Sequence, residues 1–125
     1  MEKDQINQIT HDSVENKIAF LDAIKKLRNL GVWGYRVEIN TNSKIIFDQN
    51  SSMIQKGNGN TVIQRQFVKQ KVIDAIRLRQ NNKTSFNEFI DQLGEAGVFD
   101  YIVDIAGKNV IYRGLFEQYE EKMPI

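Results

Sequence analysis

The sequence contains no cysteine, and its 125 residues include only one histidine and one proline. Without cysteine there is no disulfide bond, thiolate nucleophile or thiolate metal ligand, and His11 alone cannot build a multi-histidine metal site. No apolar run approaches the roughly 20 residues that span a bilayer. We therefore expect no metal, no cofactor and no membrane insertion, and the polar N-terminal residues predict no signal peptide.

The remaining composition is that of an ordinary folded protein. Hydrophobic residues make up 41% of the chain and charged residues 26%, so a core can form and disorder is not expected. A chain of this length is typical of one domain. We therefore predict a single domain over residues 1–125, of mixed α and β structure and cytoplasmic location.

Charge is distributed unevenly along the chain. Residues 1–83 contain fourteen Lys and Arg against eight Asp and Glu, whereas residues 84–125 contain three against eight. The net charge of +1 provides no overall field that attracts nucleic acid, so nucleic acid is a disfavoured partner. Opposite charge in the two parts is compatible with two solvated faces or with a homodimer, and the partner remains unknown.

A degenerate repeat appears when the chain is shifted by 66 residues. Over the 20 positions from Phe20 to Ile39, eight residues are identical to those found 66 positions later, from Phe86 to Ile105. Convergence of two similar helix–turn–strand units is the alternative to duplication. We place the two pseudo-repeats at about residues 18–48 and 84–113.

Each pseudo-repeat has the pattern of a helix, a glycine turn and a β-hairpin. Apolar residues recur at helical spacing from Phe20 and again from Phe86. Gly31 and Gly97 then supply a left-handed position that commonly ends a helix. Alternating apolar residues follow in both copies, which indicates strands with one buried face.

The two hairpins define the predicted fold. A lone hairpin is marginal in water, so we expect an α+β fold in which the two helix–hairpin pseudo-repeats form a mostly antiparallel four-stranded sheet with helices covering one face. The segment between the repeats reads as a loop over residues 49–60, with a short strand near Met53 as an option, and a helix over about 61–80. The C-terminal segment has a last short strand at Leu115-Phe116 as an option and is expected to fray past Glu120.

The second pseudo-repeat resembles a known family. Residues 82–89 (NKTSFNEF) and 95–104 (EAGVFDYIVD) are similar to the YbcV-like family of small bacterial and phage proteins, whose function is unknown and which are often called phage envelope proteins. His11 resembles a histidine near the start of that family. Arg79-Gln80 stands where the family often has His-Gln, and Leu21 where it often has proline. The resemblance implies no activity, cofactor or catalytic residue.

Aromatic residues cluster on the predicted hairpins and are candidates for ligand binding. On an open sheet face they would line a groove for a small molecule, and packing against the helices explains them equally well. These candidate ligand-binding residues are Trp33, Tyr35, Phe99, Tyr101 and Tyr112.

A basic segment precedes the second pseudo-repeat. The predicted helix from Arg65 to Arg79 contains five cations and a single acidic residue, Asp74, and such a helix can contact phosphates. The candidate phosphate-binding residues are Lys69, Arg77 and Arg79, and this hypothesis requires them to share one exposed stripe.

Three other constellations are weak. His11 lies in a polar segment beside Asp12 and reads as a surface histidine. Glu38 and Asp104 occupy equivalent positions and could pair across a pseudo-twofold axis, although strand alternation places Glu38 on the polar face. Residues 56–61 (KGNGNT) lack the signature of a phosphate-binding loop. No catalytic residue is assigned.

The sequence therefore favours a non-enzymatic binding or interaction module that acts through an open sheet face or by self-association. One alternative is a small-molecule-binding protein or small enzyme that uses the aromatic groove. The other is a phosphate- or nucleic-acid-binding regulator that uses the basic helix.

Overall fold

Two helices precede three short strands in each half of the chain. The computed structural model describes residues 1–125. The first half contains α1 (Lys3–Val14), α2 (Phe20–Asn29), β1 (Gly34–Glu38), β2 (Lys44–Phe47) and β3 (Ser52–Gln55). The second half contains α3 (Lys69–Gln80), α4 (Phe86–Glu95), β4 (Asp100–Asp104), β5 (Asn109–Arg113) and β6 (Gln118–Lys122). None of the four helices is both long and apolar enough to cross a membrane.

The six strands form one antiparallel sheet in the order β3-β2-β1-β4-β5-β6. At its centre, β1 pairs with β4 so that Arg36 lies opposite Ile102 and Gly34 lies opposite Asp104. Residue 102 is the position that a shift of 66 assigns to residue 36. The register therefore relates the two halves by an approximate twofold axis through the Arg36–Ile102 pair.

The turns of the two halves also correspond. All residues with positive φ fall into three pairs that are 66 positions apart: Asn16 and Asn82, Gly31 and Gly97, Asn42 and Lys108. Only glycine adopts such angles at little cost, and asparagine tolerates them better than most other residues. The same chain reversals therefore recur in both halves even where the residue type has changed.

The helices cover one face of the sheet, which we call the inner face. Tyr35 and Val37 of β1 and Tyr101 and Val103 of β4 point to this side and are buried. They pack with the apolar stripes of the helices, including Leu93, into one core. Residues at the alternate positions, such as Ile102, lie on the opposite, outer face, which no helix covers and where most side chains are only half-buried.

The prediction of a four-stranded sheet is wrong, because β3 and β6 extend the sheet at its two edges. Edge strands of natural sheets are often short or charged, which discourages pairing with another chain. In β3 the buried residue is Met53, and in β6 the inward Tyr119 is half-buried. The polar run around β3 left this strand only an option near Met53. The last strand is β6, which lies beyond the stretch at Leu115-Phe116 that the sequence offered, and its final two residues were expected to fray.

The helix predicted over about 61–80 begins eight residues later, at Lys69. The preceding residues run extended along α4, where the Gln64 N–H donates to the carbonyl of Gly94 at 2.9 Å and the Val68 N–H donates to that of Ala96 at 2.9 Å. A Cβ at Gly94 would lie 2.6 Å from the Thr61 side chain, so this glycine permits the close approach. Tertiary hydrogen bonds therefore replace the first helical turns.

Candidate ligand-binding cavity

A cavity of about 380 Å³ lies between the helices and the inner face of the sheet. Its walls come from all four helices and from β1, β2, β4 and β5, and most of its lining residues are apolar. A volume in this range suits a small organic molecule. The exposed residues Asn16, Phe20 and Asn82 belong to the lining, so the cavity opens to solvent where the α1–α2 and α3–α4 turns meet.

Three tyrosines supply polar atoms to this apolar space. Tyr35, Tyr101 and Tyr112 are at most 9% exposed and line the cavity. Burial is the main cause that raises the pKa of all three phenols, and no hydrogen bond contributes. None of the three hydroxyls is a fully buried polar atom without a partner, so they keep accessible surface although their residues are buried. These hydroxyls are therefore available to bind a ligand.

Lys44 brings a positive charge to the cavity wall. It is the first residue of β2 and shares the inner face with Ile46. Its Nζ lies 4.8 Å from the centre of the Phe86 ring. Burial and the charge of Arg79 lower the pKa of Lys44 to about 8, because both disfavour the protonated amine. Lys44 takes part in none of the ion pairs of the protein.

Arg79, in the last turn of α3, is the second cation of the cavity. Its guanidinium donates to the carbonyl of Thr84 at 3.1 Å and to that of Val14 at 3.3 Å. It lies 5.6 Å from the centre of the Phe86 ring, and burial lowers its pKa. No aspartate or glutamate lines the cavity. The two cations therefore flank one aromatic ring without an anionic partner.

The mouth of the cavity adds to this positive potential. Ala19, the N-cap of α2, belongs to the lining, and its side chain forms no capping hydrogen bond. The first N–H groups of a helix carry partial positive charge. At the equivalent place in the second half, Ser85 caps α4 through a reciprocal capping box with Glu88. The first-half helix end is therefore the more available of the two.

The structure brings together only three of the five predicted aromatic residues. Tyr35, Tyr101 and Tyr112 line the cavity on the inner face, whereas Trp33 and Phe99 are not part of its lining. Trp33 precedes β1 and is 47% exposed, and the Phe99 ring lies 5.3 Å from the guanidinium carbon of Arg113. The three tyrosines thus line a cavity between the helices and the sheet, and not a groove on an open sheet face.

The predicted phosphate-binding residues occupy different environments. Arg77 is exposed and pairs with Glu121 of β6 at 2.8 Å, which lowers the pKa of that carboxyl. The exposed Lys69 lies 5.6 Å from the centre of the Tyr119 ring. Arg79 points to the cavity. The three cations therefore do not share the one exposed stripe that the phosphate hypothesis requires.

The carboxylates Glu38 and Asp104 do not converge. They lie at opposite ends of the β1–β4 pair, where Glu38 is opposite Asp100 and Asp104 is opposite Gly34. Glu38 accepts from Arg36 at 2.8 Å, and Asp104 accepts from the Gly107 N–H at 2.8 Å. Both acids have local structural partners.

The other weak candidates are also explained by local structure. His11 is exposed on α1. In the segment from 56 to 61, the Gly57 N–H donates to the Ser43 hydroxyl at 3.0 Å and the Gly59 N–H donates to the Thr41 carbonyl at 2.9 Å. These amides are therefore occupied within the protein and are not free to bind phosphate.

Sequence reasoning missed Lys44 and Phe86 as functional candidates. Lys44 was treated only as the start of a strand, and Phe86 only as a residue of a helical stripe. The available signal was the alternation in Lys44-Ile45-Ile46-Phe47, because a lysine two residues from a buried isoleucine must face the same side of the sheet. Its proximity to Arg79, 35 positions later in the sequence, required the tertiary structure.

Comparison with known proteins places the chain in a family without assigning a function. Residues 8–119 match a family described as "Protein of unknown function (DUF1398)", and the chain belongs to this family. No curated protein matches the chain. The narrower resemblance to YbcV-like or phage envelope proteins stays a prediction.

Proposed function

We propose that this protein binds a small amphipathic molecule with an anionic group in the cavity between its helices and its sheet. The observation that carries this proposal is the pairing of two cations, Lys44 and Arg79, with no carboxylate in a mostly apolar lining. An anion between them would compensate for the cost of keeping the cations out of water.

The rest of the lining supports a ligand with an apolar body. The side chains of Ala23, Leu27, Ile76 and Phe89 surround the space, and such walls favour burial of hydrocarbon or aromatic groups. The three tyrosine hydroxyls offer hydrogen bonds at fixed points, which gives specificity more than affinity. The ligand class is therefore a carboxylate or similar anion attached to an apolar group.

Calorimetric titration with octanoate, and with octanol as the matched neutral probe, tests this function. We expect octanoate to bind in a 1:1 complex at least ~10-fold more tightly than octanol, which corresponds to about 1.4 kcal/mol. Lys44→Met should remove most of that preference, whereas Lys56→Met, at an exposed position, should leave it unchanged. Equal affinity for both probes, or equal effects of the two substitutions, would contradict the proposal.

The outer face of the sheet supports self-association as a second candidate function. Ile54 is 66% exposed there, beside the half-buried Ile45 across the β2–β3 ladder. The free edge of β3 carries no charged residue, a feature that favours pairing with another chain. Sedimentation equilibrium tests this candidate, with Ile54→Lys expected to shift the population towards monomer. A monomer at high concentration in the parent protein would remove it.

We also propose that the two halves derive from an internal duplication. The 66-residue shift relates the helices and strands of both halves, the three pairs of positive-φ residues and the symmetric β1–β4 register. The cavity is bounded by both halves. On this view, the ligand site lies between two copies of one unit, and its cations arose by divergence of the copies.

A further inference from the structure

Lys44 has the surroundings of a reactive amine. Its neighbours across the sheet, Val37 of β1 and Gln55 of β3, are uncharged. The Phe86 ring of α4 lies against its amine. Lys44 is buried enough to be desolvated yet lines a cavity that opens to solvent. A lysine in an apolar pocket next to another cation is a recognised arrangement for an activated amine nucleophile.

The Phe86 ring favours the protonated form of Lys44 by a cation–π contact, but no anionic side chain lines the cavity to do so. Among the elements that line the cavity, α1 contributes Thr10 and Ser13, α3 contributes Arg79, and the strands contribute the three buried tyrosines; α2 and α4 contribute no charged residue. Burial and Arg79 lower the pKa of Lys44 to about 8. Roughly a tenth of the amine is then neutral at pH 7, far more than for an ordinary lysine.

We propose that Lys44 forms an imine with the carbonyl group of a small oxo acid whose carboxylate contacts Arg79. This inference rests on the proposed function, because it needs the same cavity and the same anionic ligand. It adds a covalent step that simple binding does not require. The ligand class narrows from amphipathic anions in general to those with an aldehyde or ketone near the acidic group.

The reaction balances with the groups present. The lone pair of the neutral Nζ attacks the carbonyl carbon, and a proton moves from nitrogen to the former carbonyl oxygen to give a carbinolamine. Protonation of that hydroxyl lets it leave as water, and the nitrogen lone pair forms the C=N bond. The product is a protonated imine and one water molecule, and hydrolysis returns the amine and the carbonyl compound.

Tyr35 is placed to hydrogen-bond the carbonyl oxygen of the ligand in this reaction. Val37 lies opposite Lys44 in the β1–β2 ladder and Tyr35 lies opposite Ile46, so Tyr35 is the diagonal neighbour of Lys44 on the inner face. Tyr35 lines the cavity. Burial raises the pKa of Tyr35, so its phenol stays neutral and can donate a hydrogen bond to the carbonyl oxygen, whereas the proton that lets the hydroxyl leave as water comes from solvent at the open mouth of the cavity.

Reductive trapping tests the imine. The protein is incubated near pH 7.5 with 2-oxo-4-phenylbutanoate and sodium cyanoborohydride, which reduces an imine to a stable secondary amine. We expect one adduct by intact-protein mass spectrometry, located at Lys44 by peptide mapping. The initial rate should exceed that with neutral 4-phenylbutan-2-one at least ~10-fold, and it should rise as the pH increases towards about 8, where the amine loses its proton.

Two variants and a competitor separate this inference from its alternatives. Lys44→Arg keeps the positive charge but cannot form the imine and should give no specific adduct, whereas Lys56→Met should react like the parent protein. In the parent protein, octanoate should slow trapping by competition, a readout that does not depend on the folding of a variant. Adducts spread over exposed lysines, or trapping unaffected by octanoate, would overturn the inference.

The same experiment distinguishes failure of the imine from failure of the cavity. If octanoate binds and 2-oxo-4-phenylbutanoate gives no Lys44 adduct, the imine is wrong and the proposed binding function stands. If neither octanoate binding nor a Lys44 adduct is observed, both are wrong.

Discussion

The two halves of the protein place different residue pairs at the same position on the outer face of the sheet. In the first half, Gly34 lies opposite Phe47, and a Cβ on this glycine would lie 2.9 Å from the Phe47 ring. In the second half, Asp100 lies opposite Arg113, whose guanidinium donates to the carboxylate at 2.7 and 2.6 Å. An aromatic ring over glycine and an ion pair are thus alternative covers for the same site in the fold.

The halves also differ on the inner face, and there the difference has chemical consequences. A shift of 66 positions places Val110 at the position of Lys44, and Ser13 at that of Arg79, and all four residues line the cavity. The approximate twofold axis alone would make the cavity symmetric. Both cations, however, have uncharged counterparts. The comparison therefore shows that the scaffold follows the approximate symmetry, whereas both cations of the proposed binding site depart from it.

The largest expected effect on stability is a difference between the two equivalent glycine turns when each glycine is replaced by alanine. Gly31 and Gly97 have φ values of +86° and +87°, but only at Gly97 would a Cβ collide with another group, the Gln66 carbonyl oxygen. Gly31→Ala should cost about 1 kcal/mol for its backbone angle. Gly97→Ala should cost more than about 3 kcal/mol because steric overlap is added. Urea denaturation measures the loss of unfolding free energy in both variants. Equal losses would show that the segment before α3 moves away from the added Cβ at no measurable cost.

The second prediction concerns replacing the Asp100–Arg113 ion pair by a glycine–phenylalanine pair like that of the first half. Arg113→Phe leaves the fully buried Asp100 with Arg36 as its remaining ion-pair partner, at 3.2 Å, and should destabilise the protein by about 3 kcal/mol. Adding Asp100→Gly recreates the Gly34–Phe47 pair and should recover at least about 1 kcal/mol. A double-mutant cycle by urea denaturation measures this coupling. Strictly additive losses would contradict the equivalence of the two sites.

The third prediction removes the main asymmetry of the inner face. Lys44→Met keeps the aliphatic length without the charge and should stabilise the protein at pH 7 by on the order of 1–2 kcal/mol. Since the folded-state pKa of Lys44 is lowered to about 8, the folded protein loses this proton before the unfolded chain does. The parent protein then gains stability as the pH rises from about 8 to the ordinary lysine pKa near 10.5.

The advantage of the variant should therefore shrink across that window. Urea denaturation of the parent protein and of Lys44→Met at pH 7 and above 10 measures it, with Lys56→Met as a control that should behave like the parent at both pH values. A constant difference between the parent and Lys44→Met would show that the lysine charge is fully solvated in the folded state.

The smallest effect concerns the helix caps. Ser85 and Glu88 form the capping box of α4, whereas the equivalent Ala19 forms no side-chain cap for α2. Ser85→Ala should lower the free energy of unfolding by about 1 kcal/mol, and Ala19→Ser should raise it by roughly 0.5 kcal/mol. Thermal unfolding of both variants checks the signs. A loss of stability in Ala19→Ser would mean that the α2 end cannot use a serine cap.

The sequence alone could predict the central elements of this fold. The helical stripes from Phe20 and Phe86 and the alternation around Tyr35 and Tyr101 have strong periods, because these elements bury a full face. The edge strands β3 and β6 have weak patterns, since each places a single apolar side chain, Met53 or Tyr119, on the inner face. The sequence offered β3 only as an option, and locating β6 would have required extending the 66-residue comparison past the hairpins.

The candidate site was less predictable for a related reason. Its three tyrosines were among the aromatic candidates, because aromatic residues on predicted strands can be identified from the sequence alone. Lys44 and Arg79 were separated by loop and helix residues, and nothing in either segment indicates that their side chains flank the same ring. The absence of an acidic partner is a property of the packed cavity, and it can only be recognised once the surrounding residues are placed.

The most direct test of the account is an NMR titration of the Lys44 side chain, assigned with Lys44→Met, in the free protein and with saturating octanoate. The account predicts a pKa near 8 in the free protein and a higher pKa with octanoate, because a nearby anion favours the charged amine. Octanoate should accordingly bind more tightly at pH 6.5 than at pH 9.5. A free-protein pKa near the ordinary 10.5, or a pKa that octanoate does not change, would contradict the claim that Lys44 lacks an anionic partner until a ligand binds.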